Sequence, residues 1–162
     1  MRKLCTLLTL IVILCLPVAV SAAEQGNFFT RAEFIKEILT QAGTEIEEVT
    51  QSSFSDVTDP ELIPYIETAY NNGIVSGYGH YFAPGRSITK EEAVKIIVHV
   101  FGEKAGFNAM SDSFADGDLE FAYSEDISAW AKPYVAYALE TGLITEEGDT
   151  FGPGEPVTAA QA

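Results

Sequence analysis

The octapeptide FAPGRSIT at residues 82–89 returns as FGPGEPVT at 151–158, with phenylalanine, proline, glycine and threonine in register 69 positions apart. The match extends outward at the same offset. Pro64-Tyr65-Ile66-Glu67-Thr68-Ala69 answers to Pro133-Tyr134-Val135-Ala136-Tyr137-Ala138, and Gly73-Ile74-Val75 to Gly142-Leu143-Ile144. Further upstream, Phe54-Ser55-Asp56 answers to Phe114-Ala115-Asp116 at an offset of 60, the difference being a longer acidic loop in the second unit. A third copy of the threonine segment, Phe29-Thr30-Arg31-Ala32-Glu33, precedes both. Ordered self-similarity of this kind is the signature of a repeat architecture, in which each unit buries its apolar face only against its neighbours.

The threonine segments have a local physics of their own. Thr30 with Glu33, Thr89 with Glu92 and Thr158 with Gln161 have capping-box spacing. In that box the hydroxyl takes a free first-turn amide and the residue three places on reaches back to the cap's own amide. Phe29 and Phe34 stand at the two positions of a hydrophobic staple. Behind the first box Phe34, Ile35, Ile38, Leu39 and Ala42 fall on one helical face; behind the second Ala93, Ile96, Ile97, Val100 and Phe101 do the same. Gly43 and Gly102 each lie 13 residues past their threonine, where a helix terminator belongs. Each unit thus predicts one amphipathic helix of about three turns. A shorter helix is expected to start at Asp59-Pro60 and at Ser128-Ala129, with Pro64 and Pro133 in the first turn, where a missing amide costs least. The fold class is all-α.

The N-terminal segment reads as an export signal. Arg2 and Lys3 precede an apolar run from Leu4 to Leu16, and Val20-Ser21-Ala22 supplies small residues for cleavage. Residues 1–22 are the expected signal peptide, with no membrane span after cleavage, since a span takes about 20 apolar residues. Both cysteines, Cys5 and Cys15, lie in that segment, so the mature chain has no disulfide, thiolate metal site or cysteine nucleophile. The remaining 140 residues keep all 24 acidic side chains and seven basic ones, a net charge of −17. That charge argues against nucleic acid as a partner and against a bare anionic membrane.

The segments FSDV…IPYIETAYNNGIVSGYGHYFAPGRSITKEEA and FADG…WAKPYVAYALETGLITEEGDTFGPGEPVTAAQA resemble S-layer homology (SLH) motifs, and FTRAEFIKEIL resembles the tail of a preceding one. The resemblance divides the chain into an opening half-motif (23–53) and motifs at 54–102 and 114–162. It implies a pseudo-threefold bundle of helix-loop-helix repeats on the outside of a bacterium. In this family the grooves between motifs hold secondary cell-wall polysaccharide, often carrying ketal-linked pyruvate, and anchor proteins to the cell wall and S-layer. The arginine of the Thr-Arg-Ala-Glu signature and an aromatic residue near the motif start contribute to the groove. Carried across, these roles fall on Arg31, Lys90 and Trp130 as carbohydrate-binding residues. Lys90 keeps the charge but loses the bidentate fork. Ala159 stands at the third signature position and Glu61 at the other aromatic position, and neither can serve. A structural protein–protein interaction module with degenerate grooves is therefore the competing expectation.

Other chemistry finds no support in the sequence. Arg31 and Lys90 sit at helix starts, where a cation opposes the dipole by up to ~1 kcal/mol, so something besides helix stability keeps them there. The acidic loop around Asp112, Asp116, Asp118, Glu120 and Asp126 lacks the glycine that an EF-hand needs, because Phe121 stands sixth from Asp116. His80 and His99 lie on different elements without cysteines nearby, a poor metal set. No nucleophile, base or acid pair appears, so no enzyme, metal or cofactor is expected. The third long helix opens at Thr158 but the sequence stops at Ala162. The expectation is that this helix is truncated and that a further C-terminal segment or a partner chain completes the bundle.

Overall fold

The computed structural model describes residues 28–103, 106–108, 126–145 and 152–158. The signal segment 1–22, most of the acidic loop, Gln161 and Ala159 lie outside them. Among the described residues, helices α1 (Arg31–Ala42) and α3 (Lys90–Phe101) are the two long ones. Helices α2 (Ile63–Asn71) and α4 (Lys132–Glu140) are the shorter ones. The fold is all-α, and among the described residues extended pairing is confined to isolated bridges.

The helix starts follow from the caps. Thr30 and Thr89 both form complete capping boxes, with Glu33 and Glu92 reaching back to the threonine amides. Phe29 meets Phe34 edge-on at 5.7 Å, closing the staple. The amides of Leu62 and Ile63 both bond the Asp59 carbonyl, and those of Ala131 and Lys132 both bond the Ser128 carbonyl. Helical hydrogen bonding thus begins at the expected residues, although regular geometry sets in a turn later, with Pro64 and Pro133 in the first turn.

The two expected terminators differ. Gly43 ends α1 in the left-handed region at φ 65° and donates to Leu39 and Thr40. Gly102 is extended, at φ −74° and ψ 149°. Its glycine answers to space instead: a Cβ there would stand 2.5 Å from the Val98 oxygen and 2.9 Å from the Tyr137 ring.

The long helix α3 is also buried on more than the single stripe that its sequence suggests. Ala93 and Ile96 join Ile35, Leu39, Ile66, Phe82 and Ile88 in the larger core. Val94 and Val98, outside the predicted stripe, pack with Ile127, Ala131, Val135 and Ile144 in a second cluster. The cause is position: α3 lies between α1 and α4 and must cover both.

A ring of three backbone bonds ties the repeats together. Phe29 N–H donates to Val157 O at 2.9 Å, Val157 N–H to Ile88 O at 3.0 Å, and Ile88 N–H to Phe29 O at 3.0 Å. Each member directly precedes the threonine of its segment (Thr30, Thr89 and Thr158), so the same residue of each repeat holds the same place in the cycle. Beside this ring the repeats dock in one manner. The first-turn amides of Arg31 and Ala32 donate to Arg86 O and Pro84 O at 2.8 and 3.2 Å. Those of Lys90 and Glu91 donate to Glu155 O and Pro153 O at 2.9 and 3.2 Å. Donors left without partners at a helix start are thereby satisfied by the turn that precedes the next repeat's threonine.

Candidate functional site

That docking brings the start of α1 against the turn between Gly73 and Arg86. Gly73 (φ 70°) ends α2, and a tight pair of bonds joins Tyr78 and Tyr81. Asp56 then fixes the outgoing segment by accepting from Phe82 N–H at 2.8 Å and Ala83 N–H at 2.7 Å. Burial would raise that carboxyl, but the two amides overcome it and hold it below the ordinary aspartate value. Ala83, pinned there, sits at φ 60°, a conformation its repeat counterpart Gly152 adopts at φ 52° without a Cβ.

Arg31 projects under this turn and is almost wholly buried, 5% exposed. Its guanidinium donates through Nε to Phe82 O (3.2 Å), through Nη2 to Ser76 O (3.1 Å) and through Nη1 to Glu92 Oε1 (3.2 Å). The rings of Phe82 and Tyr78 lie 4.6 and 5.7 Å from its Cζ. Burial lowers its pKa, partly offset by Glu92. Glu92 does three things at once. It closes the Thr89 capping box, receives Arg31 and receives Arg86 Nη2 at 2.5 Å. Burial would raise its pKa, yet Arg86, the Thr89 amide and Arg31 together hold it below the ordinary glutamate value. Arg86 spends its other donors on the Tyr78 hydroxyl (3.1 Å) and Ser87 O (3.2 Å).

A groove of about 430 Å³ opens along this junction, lined by Arg31, Tyr78, Arg86, Glu91, Lys95 and Trp130 among others. Trp130 comes from the following repeat. Its place is set by Glu91, whose carboxylate accepts from Ser128 Oγ at 2.9 Å and Ser128 N–H at 3.2 Å. Trp130 is 46% exposed and Tyr78 59% exposed, so the groove offers two aromatic surfaces to solvent. Chemically it combines aromatic faces, on which a sugar ring can stack, with three cations and two carboxylates.

Of the residues expected from sequence, Arg31 and Trp130 thus meet in one groove although 99 positions apart. Lys90 does not join them. It occupies the equivalent place at the next junction, where Nζ pairs with Glu155 Oε2 at 2.7 Å. Glu61, at the position corresponding to Trp130, pairs with Lys36 at 3.6 Å. Tyr78, Arg86, Lys95, Glu91 and Glu92 were not anticipated. The signal for Lys95 was present, because it stands in α3 where Lys36 stands in α1, each over a tyrosine ring (Tyr134 at 6.0 Å, Tyr65 at 5.5 Å). Among the described residues no group of three metal-ligating side chains forms, and no helix is long and apolar enough to cross a membrane.

Comparison with known proteins places these features in a family. The S-layer homology domain model matches residues 53–94 and 124–162. An exoglucanase, XynX, of Acetivibrio thermocellus is 34% identical over 141 residues, which is 86% of this chain and 12% of that protein. An amylopullulanase of Thermoanaerobacterium thermosulfurigenes is 31% identical over 86% of the chain and 7% of its own length. A surface-layer 125 kDa protein of Lysinibacillus sphaericus is 32% identical over 86% of the chain and 11% of its own length. The chain therefore spans only about a tenth of each relative, and the enzymatic names belong to proteins whose remaining length it does not cover.

Proposed function

The chain belongs to the S-layer homology family, and on that premise we propose that it is a non-catalytic cell-surface anchoring module whose Arg31–Trp130 groove binds secondary cell-wall polysaccharide. The observation that carries the reading is the meeting of Trp130 with a cluster of cations in one groove at a repeat junction. An exposed indole face binds the apolar side of a sugar ring, and cations beside it favour an acidic substituent such as ketal-linked pyruvate. This local excess of cations matters in a chain of net charge −15, whose field otherwise repels anionic polymers. Export through residues 1–22 would deliver the module to the wall, where a surface-layer relative is at home by its name.

A second reading draws on the other positions. Lys90 is spent on Glu155, and Glu61 with Lys36 fills the place where an aromatic would stack. These pairings favour a module with a single working groove, whose remaining surfaces serve protein contacts. Sedimentation of the mature protein with purified cell-wall sacculi, before and after acid removal of the secondary polysaccharide, tests the primary reading. Retention that disappears with the polysaccharide supports it. Absence of retention on both preparations refutes it in favour of the interaction module.

A further inference from the structure

The groove's three cations are not equivalent. Arg31 has each nitrogen engaged by protein oxygen and is buried. Arg86 is held by Glu92, Tyr78 and Ser87. Lys95 differs from both: its ammonium has no carboxylate and no hydrogen-bond partner among the described residues, and rests only near the Tyr134 ring at 6.0 Å. The molecule contains its own comparison. In α1 the same lysine position, Lys36, lies over Tyr65 and has the exposed Glu61 carboxylate 3.6 Å away. In the following repeat Trp130 replaces that glutamate, which provides a stacking face and leaves Lys95 without an ion pair among the described residues.

We infer that Lys95 is the residue that meets the carboxylate of an acidic sugar stacked on Trp130, while the signature arginine Arg31 builds the groove without contacting ligand. The inference rests on the proposed polysaccharide reading and goes beyond it by assigning the charge contact to Lys95. The Lys95 ammonium has three donors to give, whereas each guanidinium already commits three of its five N–H groups to protein oxygen. One substitution in the repeat, glutamate to tryptophan, accounts for both halves of the recognition.

The test is a fluorescence titration of the mature chain with a methyl glycoside carrying a pyruvate ketal, as the free acid and as its methyl ester. Esterification removes the charge and leaves the ring to stack. The wild-type chain is expected to prefer the acid by about tenfold, the scale of one charge-assisted hydrogen bond. Lys95→Gln should bind acid and ester alike, Lys95→Arg should restore the preference, and Lys36→Gln, outside the groove, should keep it. Thermal melts of the variants verify that each remains folded. If Lys95→Gln retains the full preference for the acid, or if the wild type binds acid and ester equally, the assignment to Lys95 is wrong while sugar binding stands. Binding to sacculi without binding to either glycoside likewise overturns the assignment alone. Failure to bind sacculi and glycosides together removes the polysaccharide reading and this inference with it.

Discussion

Replacing Arg31 by alanine should cost far more stability than the same change at Lys90, although the two residues hold the same position in their repeats. Arg31 is 5% exposed and donates three hydrogen bonds, one of them to a Glu92 side chain that is itself 19% exposed. Alanine leaves the buried carbonyl of Phe82, the partly buried carbonyl of Ser76 and a partly buried carboxylate without that donor. Breaking a buried pair by removing one partner costs about 3–5 kcal/mol, and three bonds to a charged donor at ~1.5 kcal/mol each lead to the same range. Lys90 by contrast makes a single ion pair to Glu155, whose side chain is 62% exposed. Solvent screens that pair, and its loss should cost about 0–1 kcal/mol. Urea unfolding of the mature chain, followed by circular dichroism, gives both numbers. Because domains of this size hold about 5–15 kcal/mol in all, Arg31→Ala should move the midpoint by a large fraction, with Arg31→Lys falling between it and the wild type. Equal effects at the two positions, or a loss below about 1 kcal/mol at Arg31, would refute the view that Arg31 knits the repeat junction.

Three further outcomes are expected. Ala83→Gly relieves a left-handed alanine at φ 60° and should stabilise the chain by about 0.5–1 kcal/mol, read as a rise in melting temperature. Gly102→Ala meets no φ penalty but drives a Cβ into the Val98 oxygen and the Tyr137 ring, and should cost about 1–3 kcal/mol in the same melts. Asp56, Glu67 and Glu92 all have pKa values held below their ordinary 3.8 or 4.5. A lowered folded pKa gives stability that is complete above the unfolded value and is lost as pH falls through the folded one. Urea midpoints should therefore start to drop near pH 4.5 for these groups, and Glu67→Gln, which disturbs the bonds from Ser52 and Ser53 at 2.7–2.8 Å, should flatten part of that slope.

The fold was legible wherever local chemistry decides it. Thr30 and Thr89 cap their helices as their spacing predicts, Pro64 and Pro133 sit in first turns, and the repeat offsets recur as repeated backbone bonds at Arg31 and Lys90. Gly102 ends α3 as its position predicts, but the Tyr137 ring that forbids a side chain there comes from another helix and could not be read from the spacing. The second buried face of α3, through Val94 and Val98, was hidden because a helical stripe in sequence does not reveal how many neighbours the helix has. The site was legible only in part. Arg31 and Trp130 were identifiable one by one, but only the handing-over of each helix start to the next repeat's turn brings them together. Lys95 is not legible in the same way, because its setting differs from that of Lys36 only in Trp130 standing where Glu61 stands, a difference between repeats that the folded chain brings together.

Trp130 is the only tryptophan of the chain and it stands in the groove, so its own emission reports on the site directly. The most direct measurement is a titration of that emission with soluble secondary polysaccharide released from the wall. The account predicts a saturable shift whose midpoint matches retention on sacculi and which weakens as salt is raised. Retention on sacculi with an unchanged Trp130 emission would contradict it, because the polysaccharide would then be bound elsewhere on the molecule.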